Sequence, residues 1–528
     1  MAGIFDSMDD YLAVPRVGGL VLSPDGSRLV ASVQTLDKEK KRYVSALWQI
    51  DTSGGPARRL THSDEGEGAP AFTPDGDLLF VSKRPGAAEK GGDEAPALWR
   101  LPAGGGEAEV FLSRPGGVGA ALVARDAGSI VVSAPTLAGD ADGDAARREA
   151  RQQSAVGAVL HETAPVRHWD HDLGPDQDRY YALDKGDGGT WNLRDLTPDP
   201  GPALVETSAV LSDDGTILFT DWRVTHAGGR ESQRVLAIDV ASGKVDVVAA
   251  DDEGGADHHD FSAPAIAPDG TWLAYLDTRT ETPETCPSTT MVIRDWPGGS
   301  SRDLLPLFLL WPHPPTPSPG SDAVFFTADE AGHCPVFRVD VADGTVTRLT
   351  ATGAYTDLCP SPDGQSIYAL RSHIDSSPRV VRLDARRADP EPEYLSSPGE
   401  IGPIPGRLEE VEAEAPDGTR IRAWLARPEG DDAAPLLLWV HGGPFSSWNS
   451  WSWRWNPWLM VARGWAVLLP DPGLSTGYGD GHIQRAWGQW GPVPYADLMA
   501  LVDETVRRPD IDAGRVAAMG GSYGGYMA

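Results

Sequence analysis

Gly520-Gly521-Ser522-Tyr523-Gly524-Gly525-Tyr526 is the stretch on which the fold turns. The residues just before it, Val516-Ala517-Ala518-Met519, are apolar and strand-like. An apolar strand that runs into a G-x-S-x-G turn and hands over to a helix is a nucleophile elbow, which lifts a serine hydroxyl above the edge of a sheet. The turn is sharp, so a side chain at Gly520 or Gly524 would collide with neighbouring backbone. Ser522 is therefore the candidate nucleophile. The backbone N–H of the residue after it, Tyr523, is a candidate oxyanion donor.

Upstream, Leu436-Leu437-Leu438-Trp439-Val440 and Ala466-Val467-Leu468-Leu469-Pro470 are continuous apolar runs of the buried-strand type, with helical patterning after each. Residues 408–414 and 420–426 alternate across Pro416-Asp417-Gly418 as an antiparallel hairpin would. This is the front half of a doubly wound α/β sheet. The first apolar run empties into His441-Gly442-Gly443-Pro444, whose glycines let backbone approach a developing alkoxide. A lone G-x-S-x-G is weak evidence. Preceded by a strand-borne H-G-G-P it makes acyl-transfer chemistry the expectation, with each oxyanion donor worth roughly 3 kcal/mol in the transition state.

The preceding four hundred residues follow another rule. A lead-in, then Pro/Asp-Asp-Gly or a degenerate copy, then a β-rich run recurs with its key aspartates at Asp25, Asp75, Asp126, Asp214, Asp269, Asp322 and Asp363. The spacings are close to one propeller blade apart from the long third gap. Each Asp-Gly is read as a turn former, not as a ligand or base. Seven such units predict a β-propeller of about seven blades over residues 1–400. A Pro/Glu/Ser/Gly-rich hinge near residues 384–406 leads to the α/β-hydrolase domain over residues 401–528.

Two stretches fall outside the repeat. The third unit carries an insertion, residues 138–150, expected as a loop or an exposed helix. His161-Glu162-Thr163-Ala164-Pro165-Val166-Arg167-His168-Trp169-Asp170-His171-Asp172 follows it. No spacing there matches a ligand pattern and Pro165 favours extended chain, so it is expected as a structured loop reaching toward the other domain or the central channel, not a metal site. In the hydrolase half, Trp448, Trp451, Trp455 and Trp458 fall at helical steps, so they would share one face of a helix if Pro457 allows one. That face would pack on the sheet or the propeller, or else wall a pocket for an apolar side chain.

The combination of a propeller with His441-Gly442-Gly443-Pro444, Ser475-Thr476-Gly477-Tyr478-Gly479, Trp490-Gly491 with Asp497, and the elbow resembles the prolyl oligopeptidase family, on its acylaminoacyl-peptidase or dipeptidyl-peptidase side. The resemblance implies that Ser522 attacks and that the N–H groups of Gly443 and Tyr523 hold the oxyanion. Gly442, Trp448 and Trp451 would line the substrate site, and the propeller would gate access for short peptides. One departure is Asp471-Pro472-Gly473-Leu474-Ser475, where many relatives carry Asn-x-Arg-Gly-Ser. His441 and His482 are poor candidates for the base, because this fold takes its base from a loop after the nucleophile.

Composition bounds the rest. A net charge of −32 repels phosphate backbones and anionic lipid, so neither nucleic acid nor membrane is an expected partner. The N-terminus lacks a signal pattern, the longest apolar run is too short to span a bilayer, and three scattered cysteines suit neither a disulfide framework nor zinc. The expectation is a cytoplasmic serine peptidase without cofactor or metal, as a monomer or a homo-oligomer. The sequence reading also expects truncation: the helix after the elbow, the later strands, and the Asp and His of the triad would all be missing, leaving this stretch inactive. Two alternatives stay open, a serine esterase on the same fold and an inactive product whose propeller serves as a binding module.

Overall fold

The computed structural model describes residues 3–85, 95–155, 157–161, 165–186, 190–226, 229–251, 257–430 and 432–528. Seven four-stranded antiparallel sheets lie within residues 16–59, 67–112, 120–195, 209–249, 259–303, 316–348 and 354–394. In each, strands adjacent in sequence are adjacent in space, so each sheet is one blade of a seven-bladed propeller. Every blade is built from its own segment of chain. The first and last meet by side-chain packing, with Val17, Leu29 and Val33 buried against Tyr368 and Leu370.

The repeated Asp-Gly falls between the first and second strands of a blade. In the first, Gly26 takes φ +73°, and the Ser23 hydroxyl (2.6 Å) and Ser27 N–H (3.0 Å) both donate to Asp25 Oδ1. Asp214 and Asp363 receive the same pair of bonds from the residues two before and two after them. The worn sixth copy keeps the shape with other residues: Ser321 takes the left-handed position (φ +57°), and Asp322 receives the Ser318 hydroxyl at 2.7 Å. The long third spacing is an insertion between the strands Ile130–Leu137 and Asp176–Lys185. It holds a helix, Asp144–Ser154, and a short hairpin that pairs Arg167–His168 with His171–Asp172.

The hydrolase half is one five-stranded sheet in the order Gly406–Glu414, Arg420–Pro428, Ala466–Asp471, Ala434–Val440, Ile511–Gly520. The last three run parallel to one another, and the first two form the expected antiparallel hairpin. Helix Pro492–Thr505 covers one face, burying Leu498, Leu501 and Val502 against Leu436, Leu438 and Leu468. On the opposite face Trp448, Trp451 and Trp458 pack together with Phe5 and Tyr11, which the N-terminal segment brings across from the propeller side.

Two expectations are corrected. The tryptophan stretch is not a helix: only Trp458–Val461 is helical, with Pro457 as its N-cap. Proline can begin a helix but not continue one, and the polar residues before it bond to backbone instead. Trp455 N–H donates to Ser452 Oγ, Asn456 Nδ2 to Ser452 O, and Trp458 N–H to Asn456 Oδ1. The helix after the elbow is not missing either, because Tyr523–Met527 forms its first turn. Among the described residues no helix is long and apolar enough to cross a membrane.

Candidate active site

Sheet order brings the two glycine motifs together. Ala434–Val440 and Ile511–Gly520 are parallel neighbours in which Val440 pairs with Gly520, so His441-Gly442-Gly443 and Gly521-Ser522 leave the sheet side by side. The carboxyl ends of parallel strands are where open α/β sheets place their sites. The elbow's glycines are required by space. A Cβ on Gly524 would sit 2.2 Å from the Val440 carbonyl oxygen, and one on Gly520 would sit 2.2 Å from the Gly524 carbonyl oxygen.

Ser522 has φ 55° and ψ −125°, a strained conformation for a residue with a side chain, and it is solvent-exposed. It caps Tyr523–Met527, whose first amides have no partner within the helix. The H-G-G loop lies against it: a Cβ on Gly442 would fall 3.5 Å from Ser522 Cβ, and Gly443 holds φ +125°. Ser522, Gly442 and Gly443 open on a cavity of about 740 Å³ walled by Phe445, Trp448, Trp455 and Trp169. Trp451 is not part of that wall. It is buried beside Phe5 (6.3 Å) and Trp453 (5.4 Å).

Neither upstream histidine is aimed at Ser522. His441 is buried, and its Nδ1–H donates to the Gly442 carbonyl (2.8 Å), which leaves Nε2 to accept the Ser475 hydroxyl (2.9 Å). The ring thus ties the H-G-G loop to the Ser475 loop. His482 Nε2 donates to the Pro472 carbonyl at 3.1 Å, and burial pushes its pKa below the usual histidine value. Among the described residues no hydrogen bond reaches the Ser522 hydroxyl from a histidine or a carboxylate.

Sequence reasoning noted Asp471 only as a departure from a motif and gave it no role. It is 1% exposed and accepts Ser447 Oγ–H (2.8 Å) and Tyr478 O–H (2.7 Å) at Oδ2 and Trp448 N–H (2.9 Å) at Oδ1, with Arg422 Nη1 at 3.4 Å. Burial first, and then the Asp471 carboxylate beside it, push the Tyr478 pKa upward. Where the resemblance leads one to expect an asparagine, this chain has a buried carboxylate that pins the start of the cavity's tryptophan wall. Asp497 does the same for the next turn, accepting Gly473 N–H (2.8 Å) and Arg485 (2.7 and 2.6 Å).

The hairpin of residues 167–172 carries its tip, Trp169-Asp170, into the wall of the same cavity. Glu162, Thr163 and Ala164 and the side chains of His168 and His171 lie outside the described residues. Elsewhere His313, Asp329 and Cys334 bring potential ligand atoms within 4.8 Å of one another, and Asp329 there accepts Asn449 (2.7 Å) and Thr476 (2.5 Å) from the hydrolase half.

A seven-bladed propeller beside a mixed sheet whose parallel strands lead into a nucleophile elbow defines an α/β-hydrolase with an accessory propeller. Residues 451–528 match the family described as the prolyl oligopeptidase family. Dipeptidyl-peptidase 5 of Schizosaccharomyces pombe is 29% identical over 276 residues, half of this chain and 39% of the relative's own length. An uncharacterized peptidase of Bacillus subtilis is 25% identical over 98% of this chain and 78% of its own. Among solved structures, the acylaminoacyl peptidase of Pyrococcus horikoshii shares the fold, with a TM-score of 0.74 at 15% identity over 97% of this chain and 74% of that one.

Proposed function

We propose that the protein is a serine-type peptidase that cleaves short peptides through an acyl-enzyme on Ser522. The observation that carries this reading is the pairing of Val440 with Gly520, which sets a strained, exposed serine against a glycine-rich loop at the floor of an aromatic cavity. Ser522 Oγ attacks the scissile carbonyl, and the N–H groups of Gly443 and Tyr523 receive the negative charge that develops on its oxygen. Gly442 and Trp448 border the substrate. The aromatic walls suit an apolar side chain, and the propeller restricts access to short chains.

A histidine has to take the serine proton, and none of the described histidines is bonded to Ser522. Residues 1–528 alone are therefore expected to be inactive, retaining at most the modest assistance of the oxyanion hole. The test uses the product of the complete reading frame that encodes this chain. Labelling by a fluorophosphonate probe should be strong there, weak in residues 1–528 and absent in Ser522→Ala. Turnover of N-acylated and free-amine peptide anilides should exceed that of simple acyl esters. A protein that turns over only the esters would be a serine esterase, and labelling that persists in Ser522→Ala would remove Ser522 from the mechanism.

A further inference from the structure

We infer that Trp169, supplied by the propeller, is a specificity-determining residue of the hydrolase site, stacking on an aromatic side chain of the bound peptide. The inference rests on the reading of the cavity as a peptide site. Three independent observations converge on this residue. Trp169 lines the same cavity as Ser522, Gly442 and Trp455, although it lies far from them in sequence. It leaves 80% of its surface exposed, a large apolar area at the rim of the cavity. It also holds φ +52° at the first position of a two-residue hairpin loop, a place that usually goes to Gly or Asn.

A bulky side chain in the left-handed region costs free energy, and such strain persists where the surroundings over-determine it. Here the hairpin is held by the pairing of Arg167 with Asp172, reinforced by an Arg167 Nε to Asp172 Oδ1 bond of 2.8 Å, and by Leu173 N–H donating to the Val166 carbonyl at 3.0 Å. The third-blade insertion thus carries a tryptophan to the wall of the cavity. Phe445, Trp448 and Trp455, from the hydrolase half, line the same cavity. A ligand in this cavity meets aromatic side chains from both the propeller and the hydrolase half, which favours a flat side chain such as that of phenylalanine or tyrosine over a small one.

The test measures binding by calorimetry in a Ser522→Ala background, so that no turnover intervenes. The probes are two N-acetylated tripeptide amides, identical except for phenylalanine or glycine at the central position. Wild-type Trp169 should bind the phenylalanine peptide about tenfold more tightly. Trp169→Ala should erase that preference while leaving the glycine peptide within about twofold, and Trp169→Phe should restore most of it. Residues 165–173 should gain hydrogen-exchange protection with the phenylalanine peptide only. If both peptides bind and Trp169→Ala keeps the full preference, the role of Trp169 is refuted and the peptide site stands. If neither peptide binds the wild-type hairpin, the peptidase reading itself fails and this inference with it. Because Trp169 is exposed at a hairpin tip, an unchanged unfolding midpoint in Trp169→Ala separates lost recognition from lost folding.

Discussion

Asp471 is the side chain on which the site's local order depends, because it answers four donors from three segments while shut away from water. Replacing it by alanine leaves Trp448 N–H without its acceptor and takes from the buried Arg422 a partner that Glu410 replaces only in part. Breaking a buried pair from one side costs about 3–5 kcal/mol. The expected outcome for Asp471→Ala is a loss near the lower end of that range in denaturant unfolding, with fluorophosphonate labelling of Ser522 falling as the Trp448 wall shifts. Asp471→Asn, which keeps an acceptor for Trp448, should lose less. A loss under about 1 kcal/mol for the alanine variant would show that the network is dispensable. None of this was legible in the sequence. Asp471 stood out there only as a departure from a family motif, since its partners come from positions 422, 447, 448 and 478 and no local pattern links them.

Blade turns lie at the other extreme of legibility, because an Asp-Gly turn is chemistry contained within five residues. Ser23, Ser318 and Ser361 donate to Asp25, Asp322 and Asp363, and those hydroxyl bonds are the main reason the three carboxyls are held below the usual carboxylate range. A carboxyl depressed in the folded state contributes stability that is complete above its unfolded value, about 3.9, and is lost as pH falls through the lower folded value. Between pH 5 and 2.5 the urea midpoint should therefore drop, and it should drop less in the triple variant Ser23→Ala/Ser318→Ala/Ser361→Ala. Those serines also accept or brace backbone, so the variant is less stable at every pH. The slope is the readout, and equal slopes would remove these turns as a source of acid sensitivity. The tryptophan stretch failed where the turns succeeded because spacing alone suggested a helix, whereas Pro457 and the side-chain bonds of Ser452 and Asn456 set the backbone. Similarly, residues 161–172 were legible only as a structured loop reaching toward the other domain or the central channel, and the strained tip at Trp169 appears only in three dimensions.

At the scale of the whole molecule, the two halves are joined by specific polar contacts over a small set of residues. Asp480 accepts Ser288 Oγ–H at 2.6 Å and Trp311 Nε1–H at 2.7 Å, while Gln484 meets Cys286 N–H at 2.9 Å and Trp487 Nε1 donates to the Thr282 carbonyl at 2.8 Å. All three hydrolase-side residues come from the helix Asp480–Ala486 or the residue just after it, and all four propeller-side residues lie within 282–311. Asp480 is the only carboxylate in this set, and a hydrogen bond to a charged group is worth about 1.5–3 kcal/mol. Asp480→Ala removes two of them at once and leaves both donors at a partly buried seam. The hydrolase half would then lean on the remaining Gln484 and Trp487 bonds of this seam, and on the Trp458 bond to the Ile374 carbonyl and on Asp329, contacts made to other blades. Scanning calorimetry should show the coupling directly: one joint endotherm for the parent chain, and in Asp480→Ala a separate, earlier transition of the hydrolase half with the propeller transition unmoved. If instead the whole profile shifts as one, the Asp480 bonds add stability without setting the link between the domains, and the Gln484, Trp487, Trp458 and Asp329 contacts carry that link.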